Sequence, residues 1–135
     1  MIFVNLPITD QERTRRFYSE LGYTFNDKFC DGNALCLEVG PNIYAMLLNR
    51  EFYATFHNKT VADATQVSGV LLAVDAPSRE DVDRQVERAV AAGAKEVRTE
   101  DHGFMYGRSF DDPDGHTWEI TWMDPAAAQD GPPQS

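Results

Sequence analysis

Hydrophobic and polar positions in the first half of the chain predict one strand, one helix and three further strands. Residues 2–8 alternate, and a helical pattern begins after Thr9. Its inward face consists of Thr14, Phe17, Tyr18 and Leu21. Thr9 and Glu12 can form a capping box, and Gly22 suits the helix end. Turn residues then separate three strand-like runs, at 23–30, 34–39 and 43–49.

The second half repeats this order. Residues 67–75 form a strand-like run, Ser78 can cap a helix, and Gly93 can end it. The apolar face of this helix consists of Val82, Val86, Ala89 and Val90. Three strand-like runs follow, at 94–100, 104–110 and 116–122. Each half is therefore a β-α-β-β-β module, and the fold class is α+β.

A length of 135 residues predicts a single domain. We expect this domain to cover residues 1–124, with module one at 1–49, a connector at 50–66 and module two at 67–124. The connector is expected to be partly helical, and it is a candidate lid or dimer contact. The tail at 125–135 is small, polar and rich in proline, which predicts disorder.

Composition excludes several classes of partner. The formal net charge is −10, without a cluster of basic residues, which argues against nucleic acid and anionic lipid. No apolar run is long enough to span a bilayer. The first residues do not resemble a signal peptide, so a cytoplasmic location is expected, with Cys30 and Cys36 as reduced thiols.

Three stretches carry a resemblance to a known family. The paired modules, "FVNLPITD" leading to "FYSELGY", and "FDDPDGHTWEI" near the end resemble the vicinal oxygen chelate superfamily of glyoxalases, bleomycin resistance proteins and extradiol dioxygenases. The sequence is most similar to the small bacterial proteins of the predicted lactoylglutathione lyase group. The resemblance implies two curved mixed sheets, a small-molecule ligand and a homodimer.

The resemblance also places metal ligands on the first and last strand of each module, here at Phe3, Met46, Gly69 and Glu119. Alternation supports the last position, because an apolar face of Trp118, Ile120 and Trp122 leaves Glu119 on the opposite side. Only Glu119 can coordinate a hard metal ion. No cofactor is therefore expected, although a divalent ion with an incomplete ligand set stays possible.

The three histidines do not complete this ligand set. They are His57, His102 and His116. None is placed beside Glu119 by the strand register, and all three are expected at the surface or at strand edges.

Counting outward from a "DPDG" loop at 112–115 pairs Asp111 with His116 and Arg108 with Glu119. Two interpretations follow. The pair is a simple salt bridge, or Arg108 and Tyr106 bind an anionic or polar ligand while Glu119 acts as a hydrogen-bond acceptor or general base. Four further candidate ligand-binding residues are either the apolar half of the cavity or ordinary core, namely Phe3, Tyr44, Met46 and Leu48. The fifth, Asn5, is either hydrogen-bonded to backbone or directed at a ligand.

These features predict metal-independent binding of a small molecule, as in the bleomycin resistance branch. The alternative is a glyoxalase-like lyase or isomerase, or a related enzyme, that uses Glu119 as a base or as a metal ligand.

Overall fold

The computed structural model describes residues 1–131 and residue 133. The chain divides into two compact units. Unit 1 comprises Met1–Gly69 with Pro113–Gly115, and unit 2 comprises Val70–Asp112 with the chain from His116 onward. Each unit contains one four-stranded mixed sheet with its helices, so the predicted α+β class and the repeated module are confirmed. The single domain over residues 1–124 stays a prediction.

Unit 1 contains the first β-α-β-β-β module. Its elements are β1 (Ile2–Ile8), α1 (Gln11–Glu20), β2 (Thr24–Phe25), β3 (Ala34–Gly40), β4 (Ile43–Asn49) and the short α2 (Arg50–Tyr53). The strand order is β1-β4-β3-β2, with β1 parallel to β4 and the other pairs antiparallel. The predicted inward face of α1 is buried at all four positions. The helical start of the connector is also confirmed, because α2 follows β4 directly.

Unit 2 repeats the arrangement. Its elements are β5 (Leu71–Asp75), α3 (Arg79–Ala91), β6 (Lys95–Asp101), β7 (Met105–Asp111), β8 (Thr117–Met123) and α4 (Pro125–Asp130). The strand order is β5-β8-β7-β6, with β5 parallel to β8. Helix α3 packs on β7 and β8, and the apolar side chains buried in this layer are Val82, Val86, Ala89, Phe110, Trp118 and Ile120. Val90 is exposed, because it lies about 100° around the helix from Ala89.

The ends of the helices follow the expected residue types with one correction. Gly22 and Gly93 adopt positive φ angles of 97° and 110° directly after the caps of α1 and α3. Ser78 caps α3 by accepting a hydrogen bond from the Asp81 amide at 3.1 Å. The predicted Thr9–Glu12 capping box is wrong, because the N-cap of α1 is the following residue, Asp10.

The correction at α1 has a clear physical cause. Asp10 Oδ1 accepts from the Arg13 amide at 3.1 Å. The hydroxyl and amide of Thr9 instead donate to Asp114 Oδ1 at 2.8 and 3.0 Å. The Asp114 carboxylate thus accepts the hydrogen bonds that Thr9 donates, and Asp10 caps the helix in place of Thr9.

Three stretches depart from the expected elements. The run at 23–30 contains only the two residues of β2 and a 3₁₀ turn at Asp27–Phe29, which begins where the Asn26 side chain accepts from the Lys28 amide. The run at 67–75 forms a strand only from Leu71.

The tail is the third departure. Pro125–Asp130 form α4, which contradicts the expected disorder there. Proline suits the first helical turn, the Asp124 side chain accepts from the Ala126 amide at 2.9 Å, and Ala127 is buried. Residues 132, 134 and 135 of the expected disordered tail lie outside the described residues.

Candidate functional site

The turn between β7 and β8 determines which side chains share a face with Glu119. The Asp112 amide donates to the His116 carbonyl at 2.9 Å, so the loop proper is only Pro113–Gly115, and Gly115 adopts a φ of 89°. The resulting register pairs Ser109 with Glu119. The predicted Arg108–Glu119 pair is wrong by one residue, because a four-residue loop was assumed.

A shift of one residue moves every side chain of β7 to the other face of the sheet. Arg108 therefore lies on the α3 side, where its guanidinium bonds Asp83 at 2.8 Å and Glu96 at 2.7 Å. The Tyr106 hydroxyl donates to the same Asp83 oxygen at 2.6 Å. This hydrogen bond and the adjacent guanidinium hold the pKa of the Asp83 carboxyl below its ordinary value.

These contacts correct the expected pairing of Arg108 with Glu119. Both Tyr106 and Arg108 connect α3 to the sheet, and neither accompanies Glu119. The predicted Arg108–Glu119 salt bridge is therefore wrong, whereas the ligand-binding roles of Tyr106 and Arg108 stay predictions.

A cavity of about 540 Å³ lies on the opposite face of the same sheet, here called the cavity face. The side chains that line it come from all four strands of unit 2 and from α4. They include Ala73, Asp75, Arg98, Glu100, Met105, Ser109, Glu119, Thr121, Met123 and Ala128, and Gly107 and Arg108 also border the cavity. Glu119 is one of the lining residues, and a ligand-binding role for this cavity stays a prediction.

The register arranges the lining into successive rows across the sheet. In the first row Glu119 lies between Ala73 and Ser109. In the next row Thr121 lies between Asp75 and Gly107. The third row pairs Met123 with Met105. The cavity face is therefore polar at the Glu119 end and apolar at the methionine end.

Gly107 has no side chain, so the middle row of the cavity lining is open beside Thr121. A Cβ atom added there would meet the Thr121 hydroxyl at 3.4 Å and the Ile120 carbonyl oxygen at 3.5 Å, which are ordinary contacts. The backbone therefore accepts a side chain at this position, and that side chain would project into the cavity beside Thr121.

Charges in the lining are unevenly compensated. The Arg98 guanidinium bonds Glu100 at 2.8 Å, and Arg108 is held by residues on the other face. Among the residues that the structure describes, Asp75 and Glu119 take part in no ion pair. Two uncompensated carboxylates therefore face the cavity.

Ser109 is the most buried polar residue of the lining, with 3% of its surface exposed. Its hydroxyl donates to the Arg98 carbonyl at 3.5 Å, the long limit for such a bond. A hydroxyl held so weakly is free to bond a ligand beside Glu119.

The candidate residues of module one share one face of the unit 1 sheet, as alternation predicts. The register pairs Phe3 with Tyr44 and Asn5 with Met46, and Pro7 with Leu48. The Phe3 and Tyr44 rings stack with centroids 5.1 Å apart. Leu48 is buried, whereas Phe3 is 50% exposed, so this face combines core with open aromatic surface. The cavity described above is lined by unit 2 alone, and none of these five residues contributes to it.

The metal positions implied by the family resemblance can be tested against the structure. Gly69 precedes β5. When the two modules are aligned at their helix N-caps, Asp10 and Ser78, the position equivalent to Phe3 is Leu71 and not Gly69. Neither Leu71 nor Gly69 has a side-chain atom that can bind a metal ion. No group of three or more His, Cys, Asp or Glu side chains within residues 1–131 is arranged to hold a metal ion. The side chains around Glu119 do not fit a divalent ion.

The histidines differ from expectation at one position. His116 is buried, and its amide donates to Asp112 Oδ1 at 2.9 Å, so the expected surface location is wrong. It follows directly on the tight turn and immediately precedes β8. His102 is exposed beyond β6, as expected, and His57 lies in the connector, where Nδ1 accepts from the Lys59 amide.

Sequence reasoning missed most of the cavity lining. Asp75, Arg98, Ser109 and the two methionines were not singled out, although one signal could have found them. A glycine at the end of "DPDG" favours a three-residue loop, and that loop length would have placed Ser109 opposite Glu119. Ala128 was missed because α4 was not expected.

Comparison with known proteins gives the family. The sequence model of the Glyoxalase/Bleomycin resistance protein/Dioxygenase superfamily matches residues 2–120. The chain therefore belongs to this superfamily, also called the vicinal oxygen chelate superfamily, and the predicted membership is confirmed. A comparison with curated proteins finds no match. No helix within the described residues has the length and hydrophobicity to cross a membrane.

Solved structures share the fold at low sequence identity. A glyoxalase-related enzyme from Fulvimarina pelagi aligns with a TM-score of 0.78 at 23% identity, over 90% of this chain and 86% of that one. A lactoylglutathione lyase from Agrobacterium tumefaciens aligns with a TM-score of 0.68 at 15% identity, over 90% and 92%. The fosfomycin resistance protein FosX from Mesorhizobium loti aligns with a TM-score of 0.67 at 15% identity, over 96% of both chains.

Proposed function

We propose that this protein binds a small organic molecule in the unit 2 cavity without a resident metal ion. The observation that carries the proposal is the cavity itself, which has a size typical of small-molecule sites and a lining graded from polar to apolar. Members of its superfamily include resistance proteins and lyases, and the fold is compatible with binding or catalysis.

Metal independence follows from the donors around Glu119. Its row neighbours are Ala73 and Ser109, and its counterpart in unit 1 is Met46. Apart from ion-paired groups, the cavity lining adds only the Asp75 carboxylate and no histidine, and two carboxylates supply too few ligands to hold a divalent ion tightly against water.

Calorimetric titration of metal-stripped protein with Ni²⁺, Co²⁺ and Zn²⁺ tests this part, with Glu119→Ala as the control. We expect no binding at micromolar concentration. Tight binding of one ion per site that disappears in Glu119→Ala would overturn metal independence.

A fragment screen monitored by amide chemical shifts in ¹⁵N-labelled protein tests the cavity. We expect binding fragments to shift the amides of Gly107, Thr121 and Glu119. Gly107→Val, which fills the middle row, is expected to abolish these shifts while the protein stays folded. Shifts that persist unchanged in the filled variant would place binding elsewhere.

A second function is favoured by one observation, namely that Glu119 faces the cavity with no ion pair among the described residues and beside a weakly held serine hydroxyl. A carboxylate in this position can remove a proton from a bound substrate. Once a ligand is known, Glu119→Gln distinguishes the two functions. Loss of turnover with retained affinity indicates an enzyme, whereas unchanged chemistry indicates binding alone.

We further propose a homodimer. The edge strands β1 and β5, with the residue that precedes β5, expose apolar side chains at Ile2, Phe3, Val70 and Leu71. A second copy of the chain would cover such surface. Light scattering is expected to give twice the chain mass of 15.2 kDa, and Leu71→Lys is expected to lower it toward the monomer. A monomer in the unsubstituted protein would contradict the dimer. The cytoplasmic location stays a prediction.

A further inference from the structure

The charged side chains on the cavity face indicate which class of ligand the cavity can bind. Every guanidinium at the cavity is already engaged, Arg98 by Glu100 and Arg108 by Asp83 and Glu96. Within the described part of the chain, the carboxylates of Asp75 and Glu119 take part in no ion pair.

The two carboxylates are close enough to act together. Asp75 pairs with Thr121 across the parallel strands, and Thr121 is two residues from Glu119 on β8. Strand spacing and rise place the Cα atoms of Asp75 and Glu119 roughly 8 Å apart on the same face. Side chains of this length can both approach one cation between them.

The other end of the cavity offers apolar surface. Met105 and Met123 form the row beyond Asp75, and Ala128 of α4 lies beside them. Methionine side chains adapt their shape to a bound apolar group. Gly107 leaves the space between the carboxylates and the methionines open.

We propose that the ligand of this cavity is an amphipathic amine, with its ammonium group between Asp75 and Glu119 and its apolar part against Met105 and Met123. The inference rests on the proposed small-molecule function and adds the ligand class to it.

Alternative ligand classes fit less well. An anionic ligand would meet two carboxylates that have no ion pair, and the Arg98 guanidinium already bonds Glu100. A neutral ligand of the same shape would cover the carboxylates without compensating their lost hydration. The Ser109 and Thr121 hydroxyls can accept hydrogen bonds from an ammonium group, which further favours a cation.

Three probes of one shape separate these classes, namely n-hexylammonium, n-hexanol and n-hexanoate. Each is titrated into ¹⁵N-labelled protein at pH 7, and the shifts of the Gly107, Thr121 and Glu119 amides are followed. We expect n-hexylammonium to bind about tenfold more tightly than n-hexanol, as expected for one charge beside two partly hydrated carboxylates. We expect n-hexanoate to bind most weakly.

Variants identify the groups responsible. Glu119→Gln and Asp75→Asn are each expected to reduce n-hexylammonium binding severalfold and to leave n-hexanol binding unchanged. Gly107→Val is expected to weaken both probes. The matched control is Glu87→Gln, the same charge change on the 72% exposed side chain of α3, which is expected to affect neither probe.

The outcomes separate the ligand class from the proposed function. Equal binding of n-hexylammonium and n-hexanol, or tighter binding of n-hexanoate, would overturn the amine proposal and leave a small-molecule site. An equal loss of n-hexylammonium binding in Glu87→Gln and Glu119→Gln would also overturn it, because the effect would then come from net charge. No cavity shift with these probes or with the fragment screen would overturn both.

Discussion

Met46 in unit 1 and Glu119 in unit 2 occupy equivalent places in a repeated topology. Each lies near the middle of the last strand of its module, which is paired with the first and the third strand of that module. The row in unit 1 reads Asn5, Met46 and Cys36, and the row in unit 2 reads Ala73, Glu119 and Ser109. The same backbone thus carries a neutral row in one copy and an acidic row in the other.

The difference shows which parts of a module its fold constrains. The face below each helix is mostly apolar in both units, with Tyr106 and Arg108 as polar exceptions below α3, because packing against the helix stabilises the sheet. The opposite face is free to differ, since neither helix α1 nor helix α3 packs on it. The carboxylate of Glu119, which unit 1 lacks at the equivalent position, lies on this opposite face.

The units also differ in how their principal helix is attached. In unit 1 the Asp114 carboxylate bonds Thr9 and Arg13 at the start of α1. In unit 2 the side chain of Arg108 reaches from β7 to Asp83 on α3. One helix is held at its end and the other along its side.

The largest expected effect concerns the turn that delivers Asp114. Gly115→Ala would place a Cβ atom 2.6 Å from the Ala64 backbone at a φ of 89°, so we expect a loss of about 3 kcal/mol in the free energy of unfolding. Urea denaturation measures it. Gly32→Ala, where no atom lies within 4 Å, is the control and should change little. Equal stability of both variants would contradict this role of the turn.

The equivalent turn in unit 1 uses Asn42, at a φ of 60°. Asn42→Gly is expected to be nearly neutral there, because either residue tolerates this conformation.

A reciprocal exchange tests the contrast between the two rows. Met46→Glu puts a carboxylate beside buried Cys36, and we expect a loss of about 2 kcal/mol because the charge loses hydration without gaining a partner. Glu119→Met should leave stability within about 0.5 kcal/mol, since it removes an uncompensated charge. Thermal and urea unfolding of both variants measure the two effects. Equal losses would mean that the rows are equally restrictive.

The side attachment of α3 predicts a dependence on pH. Arg108→Met should cost about 1 kcal/mol at pH 7, a modest value because Asp83 and Glu96 are partly hydrated. The pKa of Asp83 is lowered by its bonds to Tyr106 and Arg108, so their stabilisation is complete above the ordinary carboxyl pKa. It is lost as the pH falls through the lowered value.

Urea unfolding of the unsubstituted protein and Arg108→Met from pH 7 to pH 2.5 measures this dependence. The difference in stability should be constant from pH 7 to about pH 5 and shrink below about pH 4. Part of the dependence of stability on pH should remain in Arg108→Met, because the hydrogen bond from Tyr106 to Asp83 persists. A difference that is the same at every pH would exclude the ionised Asp83 as the partner.

An effect of similar size is expected at the cap of α1. Asp10→Ala should cost about 1 kcal/mol, because the Arg13 amide loses its acceptor. Glu12→Ala removes the acidic residue that the capping box would require, and it should change stability by only a few tenths of a kcal/mol. Urea unfolding measures the loss of stability in both variants. A larger loss for Glu12→Ala than for Asp10→Ala would support the capping box instead.

Much of the fold could be predicted because its signals are local. Alternation, helical spacing and the glycines after α1 and α3 are each read within a few residues, and they gave the repeat and the face of Glu119. The neighbours of Glu119 depend in addition on the length of the turn at 112–116, which sets the register of β7 with β8. One miscounted residue there placed Arg108 and Tyr106 on the wrong face, because side chains alternate with a period of two.

The sequence by itself determined two β-α-β-β-β modules, the buried face of each helix and a lone carboxylate at position 119. Only the tertiary structure decided its neighbours, by pairing β7 with β8 in the register that brings Ser109 beside Glu119 and by taking Arg108 to Asp83. Helix and strand periodicity are local properties of the chain. The partner of a side chain across a sheet depends on turn geometry and on competing carboxylates that are distant in sequence.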